Sequence, residues 1–136
     1  MLTFTIKFDQ QQVVKEIREG SRDLIREVAF AIEAEMKLLM TGPKSGREYR
    51  QKGGIIHQAS APGEAPAVDT SNLIGSIDTR IISDSEAVIS IPVEYAEALE
   101  FGAPKRGLAP RPFVRPAVDG VLRRFGQGGI LASARN

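Results

Sequence analysis

The sequence predicts an α+β domain: a small antiparallel sheet packed against a long N-terminal helix and a C-terminal helix, with a long projecting hairpin arm. Three patterns lead there. Leu2, Phe4, Ile6 and Phe8 alternate with Thr3, Thr5 and Lys7, the period of two that a strand with one buried face requires. Val13, Val14, Ile17, Leu24, Ile25, Val28, Ile32, Met36 and Leu39 recur at spacings of three and four, which places them on one side of a helix. Residues 79–83 and 87–91 are rich in β-branched side chains and flank Asp84, Ser85 and Glu86, a pattern that predicts a β-hairpin.

Taken in order, the first strand is followed by Asp9, a cap for a helix that runs to about Met40 and is ended by Thr41, Gly42 and Pro43. Unbroken, that helix would be about 45 Å long; Gly20 and Ser21 offer a kink. Residues 41–69 then make a connection of nearly thirty residues, beyond the roughly 12 to 15 that compact domains usually tolerate without a functional reason. Residues 48–51 and 55–59 flank Lys52, Gly53 and Gly54, and glycine reaches the positive φ that hairpin turns need. Pro62, Gly63 and Pro66 favour an extended return. The segment reads as an arm that touches something else and is separable from the core.

Beyond the arm, Asp69, Thr70 or Ser71 caps a short helix to about Ser76, with Leu73, Ile74 and Ile77 buried. Pro92 closes the hairpin, residues 94–101 suit another short helix ended by Gly102, and residues 103–111 form a basic loop. From about Arg115 a last helix buries Val118, Val121, Leu122 and Phe125 before Gly126. Residues 127–136, with Gly128 and Gly129 and an isolated Ile130-Leu131 pair, read as a flexible tail, frayed or docked on a neighbouring molecule.

The chain has 136 residues, with 42% hydrophobic and 26% charged, the size and composition of one globular domain. It has no cysteine, so disulfides, thiolate zinc sites and cysteine nucleophiles are excluded. No apolar run of about 18 residues is present to span a bilayer, and the alternating N-terminus does not resemble a signal peptide. Net charge is +1, but its sign is segregated. Residues 60–102 hold eight acids and one base, a net −7; residues 103–136 hold seven bases and one acid, a net +6; residues 43–57 add +3. Opposite patches on one small domain can match head to tail between copies, which is how rings close.

No catalytic or metal-binding constellation is predicted. Ser60, His57 and Asp69 share one proline-broken segment, whereas a working triad needs a rigid scaffold. His57 with Glu64 or Asp69 lacks the clustered ligands zinc prefers, and Gly53-Gly54 leads into no phosphate-loop motif. Lys44, Arg47, Arg50 and Lys52, with Lys105 and Arg106, offer a basic surface. A pI of about 8.1 and the lack of interleaved aromatics make any phosphate contact weak and non-specific.

The strings PVEYAEALEFG and APRPFVRPAV, preceded by GREY and HQASAPGEAPAVDTSNLIGSI, resemble the minor tail-component family of long-tailed, lambdoid-type bacteriophages, the tail-completion or head-tail joining proteins. The matching positions are Tyr49, His57, Ala59, Ser60, Pro62, Gly63, Glu64 and Pro66 in the arm, then Leu73 and Ile77. They continue with Tyr95, Ala96, Glu100, Phe101, Gly102, Arg111, Pro112, Phe113 and Pro116. The N-terminal helix and the glycine-rich tail carry no motif. The resemblance implies a structural virion protein without catalysis or cofactor, assembled in the host cytoplasm as a homo-oligomeric ring, a hexamer, at the head-proximal end of the tail. It would contact other neck and tail proteins and let DNA pass through the ring. The expected assembly arm is Lys44, Arg47, Tyr49, Arg50, Lys52, His57, Ser60, Pro62, Glu64 and Pro66. The expected subunit interface is Glu94, Tyr95, Glu97, Glu100, Phe101, Gly102, Lys105, Arg106, Arg111 and Phe113, with the three glutamates on one helical face meeting the basic loop of the next copy. The alternatives are a tail terminator or head-tail connector ring of the same neck, or a small non-specific nucleic-acid-binding module.

Overall fold

The computed structural model describes residues 2–8, 21–50, 53–54, 56–67, 72–124 and 130–135. Strand β1 (Leu2–Phe8) leads to helix α1 (Ser21–Thr41), a short ladder of β2 (Glu48–Arg50) and β3 (Ile56–Gln58), and helix α2 (Asn72–Ser76). There follow the hairpin of β4 (Asp78–Ser83) and β5 (Glu86–Ile91), helix α3 (Ala96–Phe101), a 3-10 turn (Pro104–Arg106), helix α4 (Val114–Arg124) and strand β6 (Ile130–Arg135). The fold is α+β. Asp9, Val13, Val14, Ile17 and Gly20 lie outside the described residues, as do Asp69, Thr70, Ser71, Phe125 and Gly126. Among the described residues no helix is long and apolar enough to cross a membrane.

The main sheet is antiparallel with strand order β4-β5-β1-β6. Leu2, Phe4 and Ile6 alternate onto its buried face, joined from β5 by Ala87, Ile89 and Ile91. Helix α1 contributes Ile25, Val28, Ala29, Ile32, Met36 and Met40, all at most 2% exposed. Helix α4 packs along α1 and adds Ala117, Val118 and Val121, while Leu73 and Ile77 are buried and Ile74 is partly so. Each fully buried aliphatic or aromatic side chain here contributes about 1.5 to 3 kcal/mol.

Three expectations are corrected. Residues 130–135 are not a loose tail: β6 pairs with β1 from Thr3↔Arg135 to Phe8↔Ile130, giving the sheet a fourth strand. Without β6, that side of β1 would present unpaired N–H and C=O groups, and satisfying them orders a segment whose own apolar signal is short. The 41–69 segment is not an arm throughout. Its middle does pair, Glu48↔Gln58, Tyr49↔His57 and Arg50↔Ile56, and Gly53 and Gly54 turn with φ of 99° and 83°. After Ala59, however, Ser60, Ala65 and Pro66 are buried against the body, and the return is not extended throughout: it turns at residues 62–64, with Gly63 at φ 85° and Glu64 N donating to Ala61 O at 3.0 Å. The third correction is Phe113, which is fully buried in the core and is therefore no subunit contact of the monomer surface.

Phe113→Ala should lower unfolding free energy by about 3 to 5 kcal/mol, the usual loss for a core aromatic. Urea denaturation reads this directly, and a loss below about 1 kcal/mol would contradict the burial.

Candidate assembly site

The start of α4 has no local cap. Val114 follows Pro110, Arg111, Pro112 and Phe113, none of them a Ser, Thr, Asp or Asn that could accept from the first helical N–H groups. Glu100 supplies the acceptor from α3. Its Oε2 accepts from Phe113 N at 2.8 Å and Val114 N at 2.9 Å, and its Oε1 accepts from Arg115 N at 2.9 Å. A carboxylate there also answers the positive end of the helix dipole. Glu100 is only 6% exposed, so it is withdrawn from the acidic patch expected of Glu94, Glu97 and Glu100. Glu94 lies in a turn before α3 and is exposed, and Glu97 is half-exposed.

Helix α3 ends at Gly102 with φ 80°, where a Cβ would sit 2.9 Å from Pro110 Cδ and 3.0 Å from Leu108 O. Only glycine fits. Beyond it the basic loop closes on itself: Ala103 N donates to Leu108 O at 2.9 Å, and Leu108 N to Ala103 O at 3.1 Å. The 3-10 turn between them leaves Lys105 and Arg106 exposed at a braced tip. Arg111 does not join them. Its N–H donates to Leu99 O at 2.6 Å, and its half-buried guanidinium donates through Nη1 to the carbonyl of Ser60 and, at 2.9 Å, to Ser60 Oγ. Gly63 N donating to Pro110 O at 2.9 Å adds a second tie between the arm's return and this segment.

Glu64 fastens the base of the arm. Its Oε2 accepts from Ser45 N at 3.0 Å and Ala61 N at 2.9 Å, and its Oε1 accepts from Ser45 Oγ. The Ser45 hydroxyl bond, with the two backbone bonds, holds its pKa down at about 2. Lys44 Nζ donates to Leu39 O at 2.6 Å, serving a carbonyl in the last turn of α1; burial draws its pKa below the ordinary value, partly offset by the Glu64 charge. At Gly46 the two sides of the arm lie close, since a Cβ there would sit 2.5 Å from Ala59 O.

The predicted site residues therefore divide in two. Lys44, Ser60, Glu64, Pro66, Glu100, Gly102, Arg111 and Phe113 hold the chain together. Arg47, Arg50, Pro62, Glu94, Tyr95, Phe101, Lys105 and Arg106 are exposed, Tyr95 and Phe101 at 45% and 54%. Tyr49 and His57 are cross-strand partners, and Lys52 lies outside the described residues. The sequence reading missed Ser45 as the hydroxyl partner of Glu64, and it took the fasteners for contacts. The available signal was the absence of any capping residue before α4.

Because Glu64 is held at about 2 against an ordinary 4.5, its contribution to stability is complete above about pH 4.5 and is lost as pH falls through about 2. Glu64→Gln should flatten the acid limb of the stability curve in that window, measured by urea denaturation at stepped pH; parallel curves for the two chains would refute it. Replacing residues 48–57 by a short glycine turn should change stability by about 0.5 kcal/mol at most. Extending the replacement to Pro66 should cost about 2 kcal/mol or more, through loss of buried Ala65 and of the Ser60 bonds to Arg111. Equal stabilities for the two variants would contradict the division.

No protein-family model, no curated protein and no solved structure gives a significant match to this chain.

Proposed function

We propose that this chain is a structural subunit of a bacteriophage neck or tail, of the tail-completion or head-tail joining kind, which assembles head to tail into a ring in the virion. The observation that carries the reading is convergence. Three of the four segments on which the family resemblance rests are tied to one another, Ser60 to Arg111, Gly63 to Pro110, and Glu100 to the start of α4. Motif residues spent on bracing a loop suit a protein whose task is to present a rigid surface. That surface offers Tyr95 and Phe101 beside Glu94, Glu97, Lys105 and Arg106. Among the described residues none of these four charged groups is in an ion pair, so they are available to a neighbour.

In this reading the acids of one copy face the basic tip of the next, and other neck or tail proteins stack on the ring. The exposed aromatics beside Lys105 and Arg106 are also what a single-stranded nucleic-acid surface would need, which keeps that second reading in play.

The pairs Glu94→Lys with Glu97→Lys, and Lys105→Glu with Arg106→Glu, should each prevent ring formation, and the four changes together should restore it at least in part. Light scattering after gel filtration at low salt reads the masses; three unchanged masses would refute the contact. A ring held by packed apolar surface should persist in about 0.5 M salt, where phosphate binding collapses.

A further inference from the structure

The main sheet has two open edges that end level with each other. Its order β4-β5-β1-β6 puts β4 and β6 at the margins, and no described strand pairs with the outer side of either. Each has six residues, and neither contains Pro or Gly. The registers carry four rows straight across the sheet. Asp78, Ser90, Thr3 and Arg135 form the first, and the rows that start at Thr79, Arg80 and Ile81 end on Ala134, Ser133 and Ala132. All the pairings are antiparallel, so across four strands the two edges run in opposite directions. The β6 ladder has no register shift, and the only charge in β6 is Arg135, at its last position. This edge therefore lacks the bulges, prolines and repeated charges with which proteins close an edge to partners.

We propose that the outer edge of β6 in one copy pairs antiparallel with the outer edge of β4 in the next copy, with Arg135 across from Asp78. A neighbour set alongside in the same orientation presents a β4 that runs against β6, so the alternation of strand directions continues through the joint. Face and charge fix the register. A slip of one residue would turn every position to the wrong face, whereas the level register keeps each row on its own face. It also opposes unlike charges at one end, and toward the other it brings Ile82, 56% exposed, to the position across from Leu131. Arg80 already reaches Asp78 within β4 at 2.7 Å, but both side chains are largely exposed. Such a pair is weak and leaves Asp78 open to a second cation. The two charges of β4 and the bulge after Ile81 guard that edge against general pairing while admitting a partner that answers Asp78. The choice of unlike edges rests on the ring reading: β4 on β4, or β6 on β6, is a two-fold contact that closes at two copies, whereas β4 on β6 uses two different surfaces and repeats. The joint lies on the sheet and the charge contact on α3 and the basic loop, so each can be tested alone.

The chain's lack of cysteine makes the test specific. Arg80→Cys and Ser133→Cys chains, mixed and oxidised at low concentration, should form the mixed 80–133 disulfide. They should do so at least about fivefold faster than Arg80→Cys mixed with Leu38→Cys, since only residues held across a joint meet the distance a disulfide needs. Leu38 is 64% exposed on α1, so its thiol is available but off the joint, and melting temperatures check that each variant folds. An 80–133 link no faster than the 80–38 link would overturn the joint. So would 80–80 or 133–133 links that outrun the mixed one, which would show like edges pairing. Arg135→Glu should weaken association by about threefold in sedimentation velocity, and adding Asp78→Lys should recover it, as for a cross-strand charge pair. No change in either variant would overturn the register. Mixed links in a chain that forms no ring would count against the ring and support the joint, and a ring without mixed links would overturn the joint alone.

Discussion

The N–H groups that open α4 have no partner in their own helix, and those of Phe113 and Val114 are buried, so the carboxylate of Glu100 is the acceptor on which this half of the molecule depends. Three bonds of 2.8 to 2.9 Å fix the end of α3 against the beginning of α4. With both ends of residues 102–111 thus set, the loop between them has to fold back. It does so through Gly102 and the Ala103–Leu108 pair. Truncating this side chain would leave three donors without their acceptor, a larger penalty than the bonds' net worth. The rigid tip that presents Lys105 and Arg106 is a consequence of that constraint.

Much of the fold was legible because its elements announce themselves by period. Leu2, Phe4 and Ile6 mark β1, Ile25 to Met40 mark α1, and the β4–β5 turn falls within a residue or so of where composition put it. The site was less legible, and the reason is physical. A cap that comes from thirteen residues away leaves no periodic trace, and a guanidinium that ends on a serine carbonyl looks, in sequence, like any surface arginine. Residues 130–135 were missed for a related reason: the pairing that orders them is set by the open side of β1, and not by their own composition.

Charge counted along the chain also overstates what a neighbour can feel. Glu64, Glu100, Lys44 and Arg111 contribute to the segregated totals of the sequence, yet each ends on a group of its own chain. In the proposed ring the charges left for contact are a smaller set, Glu94 and Glu97 on one side and Lys105 and Arg106 on the other, with Tyr95 and Phe101 exposed as well. Fewer charges on a stiffer frame favour specificity of fit over long-range attraction, since surface pairs are screened within about 10 Å at ordinary ionic strength.

The position of β1 within the sheet has a bearing on how the protein is made. Its two partners are β5 and β6, and its register reaches from Thr3 to Ser90 on one side and to Arg135 on the other. During synthesis β1 leaves the ribosome before both of its partners, and its apolar face has no sheet until the hairpin and then β6 follow. Pairings so distant in sequence fold slowly. Until the sheet closes, Leu2, Phe4 and Ile6 lack their sheet neighbours, and packing of α1 over them is what the chain itself offers to limit misassociation.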